Sequence, residues 1–280
     1  MVVVAHISDL HFGREVPALA AALIETLRAI APDFVAVSGD LTQHGRRAEL
    51  AAAREFIEAL PAPALVVPGN HDMPKRPWSR FVRPWARWHA VIERPLEPTL
   101  TGPGYVAAGV NTARTWRPHF DWSRGRIGDA QLDTIEQTFA AAGPHDVRVL
   151  VAHHPFLLGE AERHRGLVGG AEAALVRLRR ARVDLVLGGH VHLGYADAVG
   201  GVVVAQSGTT FSDRLKGEPQ GFNRITVARR RLVVEHYRAV GERFERDEIS
   251  EFVRNDGWAR TRVTSEAPRT SSGTSRSSAR

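Results

Sequence analysis

Short apolar runs that stop abruptly beside a polar side chain recur along the chain. Residues 35–37 form one such run, which ends in Ser38-Gly39-Asp40. Similar runs end beside Asp, Asn or His at four other places, namely residues 8–11, 68–72, 153–155 and 188–192. Apolar runs of this length, mostly closed by Gly or Pro, are typical of buried strands. We therefore predict five buried strands, each ending in a candidate functional side chain.

Helical patterns separate the first three of these runs. Residues 16–30 are rich in Ala and Leu, and residues 46–60 carry apolar side chains at helical spacing. Strands that alternate with helices in this way are typical of an α/β fold with parallel strands. Sites in open α/β sheets form at the carboxyl ends of the strands. The five strand ends therefore predict a single polar site, with Asp40 at its centre.

Two later parts of the chain depart from this alternation. One is an apolar stripe that predicts a single short helix packed onto the core, formed by Trp78, Phe81, Trp85, Trp88 and Ile92. The alternative is that this stripe lines a substrate or acyl-chain groove beside the site. The second departure from the alternation comes after two predicted helices at 130–142 and 171–181. It consists of three short apolar runs that predict a second, largely antiparallel sheet segment, at 202–205, 225–227 and 232–237.

Composition and charge limit the classes of protein to consider. The chain has 280 residues, no Cys and no apolar run long enough to span a membrane, and Met1 leads directly into the first strand. We therefore expect a cytoplasmic protein without a signal peptide or a membrane span. Residues 254–280 contribute +4 of the net charge of +6, through six Arg against Asp256 and Glu266. The remaining +2 does not favour nucleic acid as a partner.

Candidate metal ligands gather at the ends of the predicted strands. They are Asp9, His11, Asp40, Asn70, His153, His190 and His192. His154 is an alternative to His153 at that position. Seven donors that include a carboxylate able to bridge fit two metal ions better than one. Nitrogen and oxygen donors without sulfur suit Mn, Fe, Zn or Co better than Mg or Ca.

The order of these blocks resembles the calcineurin-like metallophosphoesterase superfamily. Its five motifs are matched in order by Asp9-x-His11, Gly39-Asp40, Gly69-Asn70-His71-Asp72, His153-His154-Pro155 and Gly189-His190-Val191-His192. The phrases around Asp40 and Asn70 are most similar to those of bacterial class III cyclic-nucleotide phosphodiesterases and related glycerophosphodiesterases. The resemblance implies a four-layer α/β/β/α sandwich with two divalent metal ions, Mn, Fe or Zn.

The resemblance also implies a role for each residue of the motifs. One ion would be held by Asp9, His11 and His192, and the other by Asn70, His153 and His190, with Asp40 bridging them. A hydroxide between the ions would attack phosphorus. His71 would stabilise the phosphoryl group or protonate the leaving oxygen, and Asp72 would orient His71 by accepting a ring N–H.

The predicted activity is hydrolysis of a cyclic nucleotide or another small phosphodiester. Enzymatic alternatives on the same site are a UDP-sugar-lipid pyrophosphatase, a phosphomonoesterase or phosphoprotein phosphatase, and a nuclease. An alternative of another class is a catalytically silent metal-binding module, which the intact ligand set argues against. We assign residues 1–245 to the catalytic domain, 246–264 to a C-terminal extension and 265–280 to a disordered tail. The Trp-rich stretch or the last sheet segment is a candidate homodimer surface.

Overall fold

Two β-sheets face each other in the computed structural model, which describes residues 1–115, 124–159, 162 and 166–265. The larger sheet has seven strands. In order across the sheet they are β13 (Trp258–Ser265), β12 (Arg243–Arg254), β11 (Arg231–Val240), β10 (Gly221–Val227), β1 (Val2–Ile7), β2 (Phe34–Ser38) and β3 (Ala64–Val67). The strands β1, β2 and β3 are mutually parallel, so their carboxyl ends lie at one edge of the sheet.

The second sheet has six strands. In order across the sheet they are β4 (Thr99–Gly102), β5 (Tyr105–Gly109), β6 (Val147–Val151), β7 (Leu185–Gly188), β9 (Val202–Gln206) and β8 (Tyr195–Val199). The four strands β5, β6, β7 and β9 run parallel to one another, whereas the edge strands β4 and β8 pair antiparallel with β5 and β9. The predicted arrangement of parallel strands is therefore present in both sheets.

Helices cover the outer face of each sheet. They are α1 (Pro17–Ile30), α2 (Arg47–Glu58), α3 (Pro77–Val82), α4 (Ala86–Val91), α5 (Asp129–Ala140) and α6 (Ala171–Arg180). Helices α1, α2 and α4 share an apolar core with the seven-stranded sheet, and α5 and α6 share one with the six-stranded sheet. A third core lies between the two sheets. Three cores separate four layers, which confirms the predicted α/β/β/α sandwich.

The strand β2 shows why the central runs are apolar at every position. Phe34 and Ala36 face the core between the sheets, whereas Val35 and Val37 face the core beneath the helices. All four side chains are fully buried. A strand that is covered on both faces has no solvent side, so its sequence does not alternate between apolar and polar residues.

The predicted second, largely antiparallel sheet segment is only partly right. Residues 225–227 and 232–237 do pair antiparallel, in β10 and β11, but the three runs do not form a sheet segment of their own. Strand β10 pairs directly with β1, with Ile225 opposite Val4, and it extends the first sheet. Strand β9 instead joins the second sheet parallel to β7, with Val203 opposite Leu185. A short apolar run indicates a strand, but it does not specify which distant strand becomes its neighbour.

The prediction of one helix for the Trp stripe is also wrong. The stretch forms two six-residue helices, α3 and α4, because Pro84 lacks an N–H and disfavours a helical backbone at Arg83. Trp88 is fully buried, and its Nε1 donates to Arg94 O at 2.8 Å. Trp78, in contrast, is 79% exposed. Only the second half of the stripe therefore packs onto the core.

The C-terminal residues extend the seven-stranded sheet by two strands. The boundary predicted at residue 245 falls inside β12, and the predicted extension at 246–264 contributes to β12 and β13. The predicted disordered tail lies, apart from Ser265, outside the described residues. No helix within the described ranges combines the length and apolar character that crossing a membrane requires.

Candidate metal centre

The carboxyl ends of five strands from both sheets meet at one place. The last residue of β2 in the first sheet contacts the loop after β6 in the second, where His153 Nδ1 donates to Ser38 O at 2.8 Å. The loop after β7 contacts the loop after β1, where the His190 amide donates to Asp9 Oδ2 at 2.9 Å. The structure therefore brings all five predicted blocks into one site.

Five of the seven predicted ligands have a left-handed backbone. The φ angles are 51° at Asp9, 46° at His11, 49° at Asp40, 73° at His190 and 63° at His192. The described chain has only three other non-glycine residues with a positive φ. Such conformations are costly for side chains with a Cβ and cluster at functional sites. The backbone is thus distorted where these side chains converge.

Two glycines leave room for the carboxylates of the site. A Cβ on Gly69 would lie 2.1 Å from Asp40 Oδ1, and a Cβ on Gly189 would lie 2.4 Å from Asp9 Oδ2. No side chain other than hydrogen fits at such distances without moving a carboxylate. These glycines are therefore required by close packing around the site.

Asp9, His11 and His192 form the first group of donors, and their ligand atoms lie within 4.8 Å of one another. Asp9 Oδ2 accepts hydrogen bonds from Ser8 Oγ and the His190 amide. Asp9 Oδ1 is buried and accepts none from the described residues, although it lies 3.1 Å from His192 Nε2 and 3.6 Å from His11 Nε2. An anionic oxygen beside two imidazole nitrogens fits a bound cation.

Hydrogen bonds to main-chain carbonyls orient three of the imidazoles. The Nδ1 atoms of His11, His192 and His153 lie 3.3, 2.7 and 2.8 Å from the carbonyl oxygens of Thr42, Arg214 and Ser38. A carbonyl can only accept, so each Nδ1 carries the proton. The Nε2 lone pair of each ring then faces the site, which is the usual arrangement of metal-binding histidines.

Asn70, His153 and His190 form the second group. Asn70 Oδ1 lies 3.2 Å from His153 Nε2 and 3.1 Å from His190 Nδ1. His154 also presents a nitrogen within 4.8 Å of ligand atoms of His153 and His190. Its Nδ1, however, is 2.7 Å from Thr112 Oγ1, whereas His153 Nε2 lies 3.4 Å from Asp40 Oδ2. The geometry thus favours His153 over His154 as the donor beside Asp40.

Asp40 lies between the two groups. Its Oδ2 is 3.4 Å from His153 Nε2 and 3.9 Å from His11 Nε2, and its Oδ1 accepts from the His71 amide at 2.8 Å. Burial opposes ionisation, but the nearby histidines, His153 first, outweigh it and hold the pKa of Asp40 well below its ordinary value. Burial also lowers the pKa of His153, but Asp40 and Asp9 raise it to about 9. The site therefore favours positive charge between its carboxylates.

The predicted contact between Asp72 and the His71 ring is wrong. His71 Nδ1 donates instead to Gln43 O at 3.0 Å. The Asp72 carboxylate accepts from the amides of Leu41, Thr42 and Gly69, and from the Thr42 hydroxyl. Adjacent residues in a tight turn point in different directions, so Asp72 joins the loops after β2 and β3. It is a positioning residue for the loop that carries His71.

Arg214 reaches the mouth of the site from the loop after β9. Its Nη1 lies 3.3 Å from His11 Nε2 and 3.2 Å from His71 Nε2. Among the described residues, no carboxylate lies within ion-pair distance of its guanidinium. The side chain is partly exposed and its main-chain oxygen accepts the His192 hydrogen bond. Arg214 therefore places a positive charge beside His71, where an anionic substrate would approach.

Sequence reasoning gave no role to two residues that hold Asp9 in place. Ser8 Oγ donates to Asp9 Oδ2 at 2.6 Å, and Thr209 Oγ1 donates to Asp9 O at 2.7 Å. Ser8 directly precedes a predicted ligand, which is a signal that could have found it. Thr209 is 200 residues away in sequence, and only the fold brings it to the site.

A family model supplies the decisive comparison. The model described as calcineurin-like phosphoesterase matches residues 2–194, which include all seven predicted ligands. The chain belongs to the calcineurin-like phosphoesterase family. The predicted resemblance is thereby confirmed, and the chain is a metallophosphoesterase-type hydrolase by membership of this family.

Relatives in this calcineurin-like family carry phosphodiesterase names. A probable cyclic nucleotide phosphodiesterase of Synechococcus sp. is 29% identical over 211 residues, covering 70% of this chain and 76% of the relative. The glycerophosphodiester phosphodiesterase GpdQ of Enterobacter lignolyticus is 30% identical, covering 56% of this chain and 59% of GpdQ. The 3',5'-cyclic adenosine monophosphate phosphodiesterase CpdA of Escherichia coli K12 is 27% identical, covering 59% and 58%. The chain thus matches less than two thirds of GpdQ and CpdA.

Solved structures of metal-dependent phosphatases share the fold. A dimetal phosphatase from Danio rerio aligns with a TM-score of 0.62 at 14% identity, covering 88% of this chain and 98% of that protein. The purple acid phosphatase PPD1 of yellow lupin aligns with a TM-score of 0.63 at 15% identity, covering 88% of this chain and 52% of PPD1. At these identities the likeness shows the fold of this calcineurin-like phosphoesterase and nothing about its substrate.

Proposed function

We propose that the chain is a dinuclear metal-dependent phosphohydrolase that acts on cyclic nucleotides or other small phosphodiesters. The observation that carries this proposal is the position of Asp40. It belongs to one donor group with Asp9 and His153 and to another with His11 and His71. A carboxylate that faces donors on both sides can bridge two cations, which is the arrangement that two-metal hydrolysis requires.

We divide the remaining donors around Asp40 as the resemblance implies. We assign Asp9, His11 and His192 to one ion and Asn70, His153 and His190 to the other. The buried Asp9 Oδ1 without a donor and the three oriented Nε2 lone pairs support this assignment. The donors are nitrogen and oxygen atoms only, which supports Mn, Fe or Zn as the metals.

Two divalent ions held by these residues would supply an acidified water and would stabilise negative charge on phosphoryl oxygens. His71 lies beside this position, because its amide contacts Asp40 and its Nε2 faces the mouth of the site. With Nδ1 donating to Gln43 O, Nε2 is the atom that takes up and delivers a proton. We assign His71 to stabilisation of the phosphoryl group or protonation of the leaving oxygen.

Arg214 would bind a non-bridging oxygen of the substrate phosphate. A diester carries one negative charge at that phosphate, and a guanidinium donates to phosphate oxygens through charge-assisted hydrogen bonds. The preference for diesters is supported by the names of the three relatives, which are all phosphodiesterases. The cytoplasmic location, the homodimer and the lack of a nucleic-acid partner stay predictions.

Hydrolysis of two chromogenic substrates tests the proposal. With Mn²⁺ added, we expect bis(p-nitrophenyl) phosphate to be cleaved faster than p-nitrophenyl phosphate, and we expect a chelator to abolish both reactions. His71→Ala should retain the metal and lose most of the turnover. The exposed His145, in the loop between α5 and β6, supplies a matched control, His145→Ala, with unchanged turnover. A preference for the monoester would assign the site to a phosphatase instead.

A further inference from the structure

Exposed apolar side chains concentrate on one short helix close to the site. On α3, Trp78 is 79% exposed, Phe81 is 41% exposed and Val82 is 54% exposed. The described chain exposes five other large apolar side chains, and one of them, Leu215, directly follows Arg214. Half of the exposed large apolar side chains therefore belong to two segments that flank the site.

The same helix lies in a basic stretch of the chain that contains no acidic residue. Residues 73–92 contain Lys75, Arg76, Arg80, Arg83 and Arg87 and no Asp or Glu. Lys75, Arg76 and Arg83 are exposed, and among the described residues no carboxylate lies within ion-pair distance of any of them. Basic residues interleaved with exposed Trp, Phe and Val are typical of segments that bind an anionic lipid surface, with the apolar side chains inserted between the headgroups.

Contacts tie this basic stretch to the site. Helix α3 begins five residues after Asp72, and Arg87 Nη1 donates to Gly45 O, in the loop after β2, at 2.8 Å. Arg80 is half-buried, and burial lowers its pKa. The negative charge of Asp40 is near enough to oppose this shift in part. A surface that holds α3 would therefore lie close to the entrance of the site.

We infer that residues 75–83 form a docking surface for an anionic lipid bilayer. The side chains of Trp78, Phe81 and Val82 enter the interfacial layer, while Lys75, Arg76 and Arg83 lie against the lipid phosphates. The inference does not depend on the proposed activity, because it rests on exposure and charge. Its consequence is that the site would open toward phosphodiesters displayed at a membrane surface.

Vesicle sedimentation with the full chain tests this docking surface. We expect binding to vesicles containing phosphatidylglycerol and little binding to pure phosphatidylcholine. Each basic residue near an anionic surface strengthens partitioning about fivefold, so neutralising Lys75, Arg76 and Arg83 together to Gln should weaken binding by about 100-fold. Trp78→Ser with Phe81→Ser should also weaken binding at least tenfold, because apolar insertion is lost.

Two controls separate docking from other causes. Val82→Ser should weaken binding, whereas Val176→Ser on α6 should not, although both valines are 54% exposed. Neutralising the tail arginines Arg269, Arg276 and Arg280 should leave most of the binding in place. Quenching of tryptophan fluorescence by brominated lipids should occur in the wild type and disappear in Trp78→Phe.

Three results of the vesicle experiments would overturn the inference. They are no binding to phosphatidylglycerol vesicles, binding that depends on the tail arginines and not on Trp78, and equal effects of the two valine substitutions. Binding of DNA or RNA that depends on Lys75, Arg76 and Arg83 without any vesicle binding would also overturn it. Turnover of soluble diesters is measured separately, so failure here leaves the proposed hydrolase standing.

Discussion

Acid should destabilise the protein through a largely buried chain of polar side chains that crosses the neighbouring strands β11, β10, β1 and β2. His236 Nδ1 donates to Asn223 Oδ1 at 2.9 Å, and Asn223 Nδ2 lies 3.3 Å from His6 Nδ1. His6 Nε2 lies 2.9 Å from Ser38 Oγ. Burial lowers the pKa of His236 from 6.5 to about 4, with smaller and opposing effects of Asp247 and Arg238. The folded protein therefore holds this ring neutral.

The sign and size of the effect follow from this pKa. The unfolded chain takes up a proton on residue 236 below pH 6.5, but the folded chain does not do so until about pH 4. The contribution of His236 to stability is thus complete above pH 6.5 and is lost as the pH falls. Each pH unit in this window costs about 1.4 kcal/mol of unfolding free energy, so about 2 kcal/mol is lost by pH 5.

Urea unfolding of the wild type and His236→Gln at pH 8 and pH 5 measures this loss. Glutamine can still donate to Asn223 but cannot take up a proton, and all other titrating groups are common to both proteins. We expect the wild type to lose about 2 kcal/mol more than His236→Gln between the two pH values. An equal loss in both proteins would refute the argument from burial. His6→Gln should behave in the same way, because burial lowers the pKa of His6 to about 3.

Other substitutions test packing and substrate contact. Gly69→Ala should lower metal content and turnover and cost about 1–3 kcal/mol of unfolding free energy, because its Cβ would lie 2.1 Å from a carboxylate oxygen of Asp40. Gly128→Ala is the control and should retain the metal, because no described atom would lie nearer than 3.9 Å to its Cβ. Trp88→Ala should cost about 3–5 kcal/mol in thermal or urea unfolding, and the exposed Trp78→Ala less than about 0.5 kcal/mol. Arg214→Ala should lower kcat/KM for the diester by about 10- to 100-fold without loss of metal. Arg214→Lys should restore part of the lost kcat/KM. Unchanged kinetics in Arg214→Ala would show that Arg214 does not bind the substrate.

The parts that sequence reasoning predicted are those with local signals. An apolar run that ends in Gly-Asp or Gly-Asn-His marks both a strand and the side chain at its end, so the blocks around Asp40 and Asn70 could be found without a structure. Five such ends predict one site, because parallel strands share an edge. The long-range neighbours could not be predicted in this way. The pairing of β10 with β1 depends on the whole fold, and no residue within β10 specifies it.

Two errors had different physical causes. The prediction of one helix for the Trp stripe relied on the helical spacing of its apolar residues and ignored Pro84. A proline at that place is a local signal against one continuous helix. The role assigned to Asp72 assumed that neighbours in sequence face each other. In the structure its carboxylate instead accepts main-chain amides of two loops, and the His71 ring is held by Gln43 O. Side-chain direction within a tight turn is set by the backbone angles, which spacing does not reveal.

The metal content of the wild type and of Asp40→Ala tests the central claim most directly. We predict two metal ions per wild-type chain by elemental analysis, the loss of one or both in Asp40→Ala, and the loss of diester hydrolysis together with the metal. Asp129→Ala is the matched control, because the Asp129 carboxylate is 95% exposed at the start of α5. A single ion in the wild type, or two ions and full turnover in Asp40→Ala, would contradict a centre bridged by Asp40.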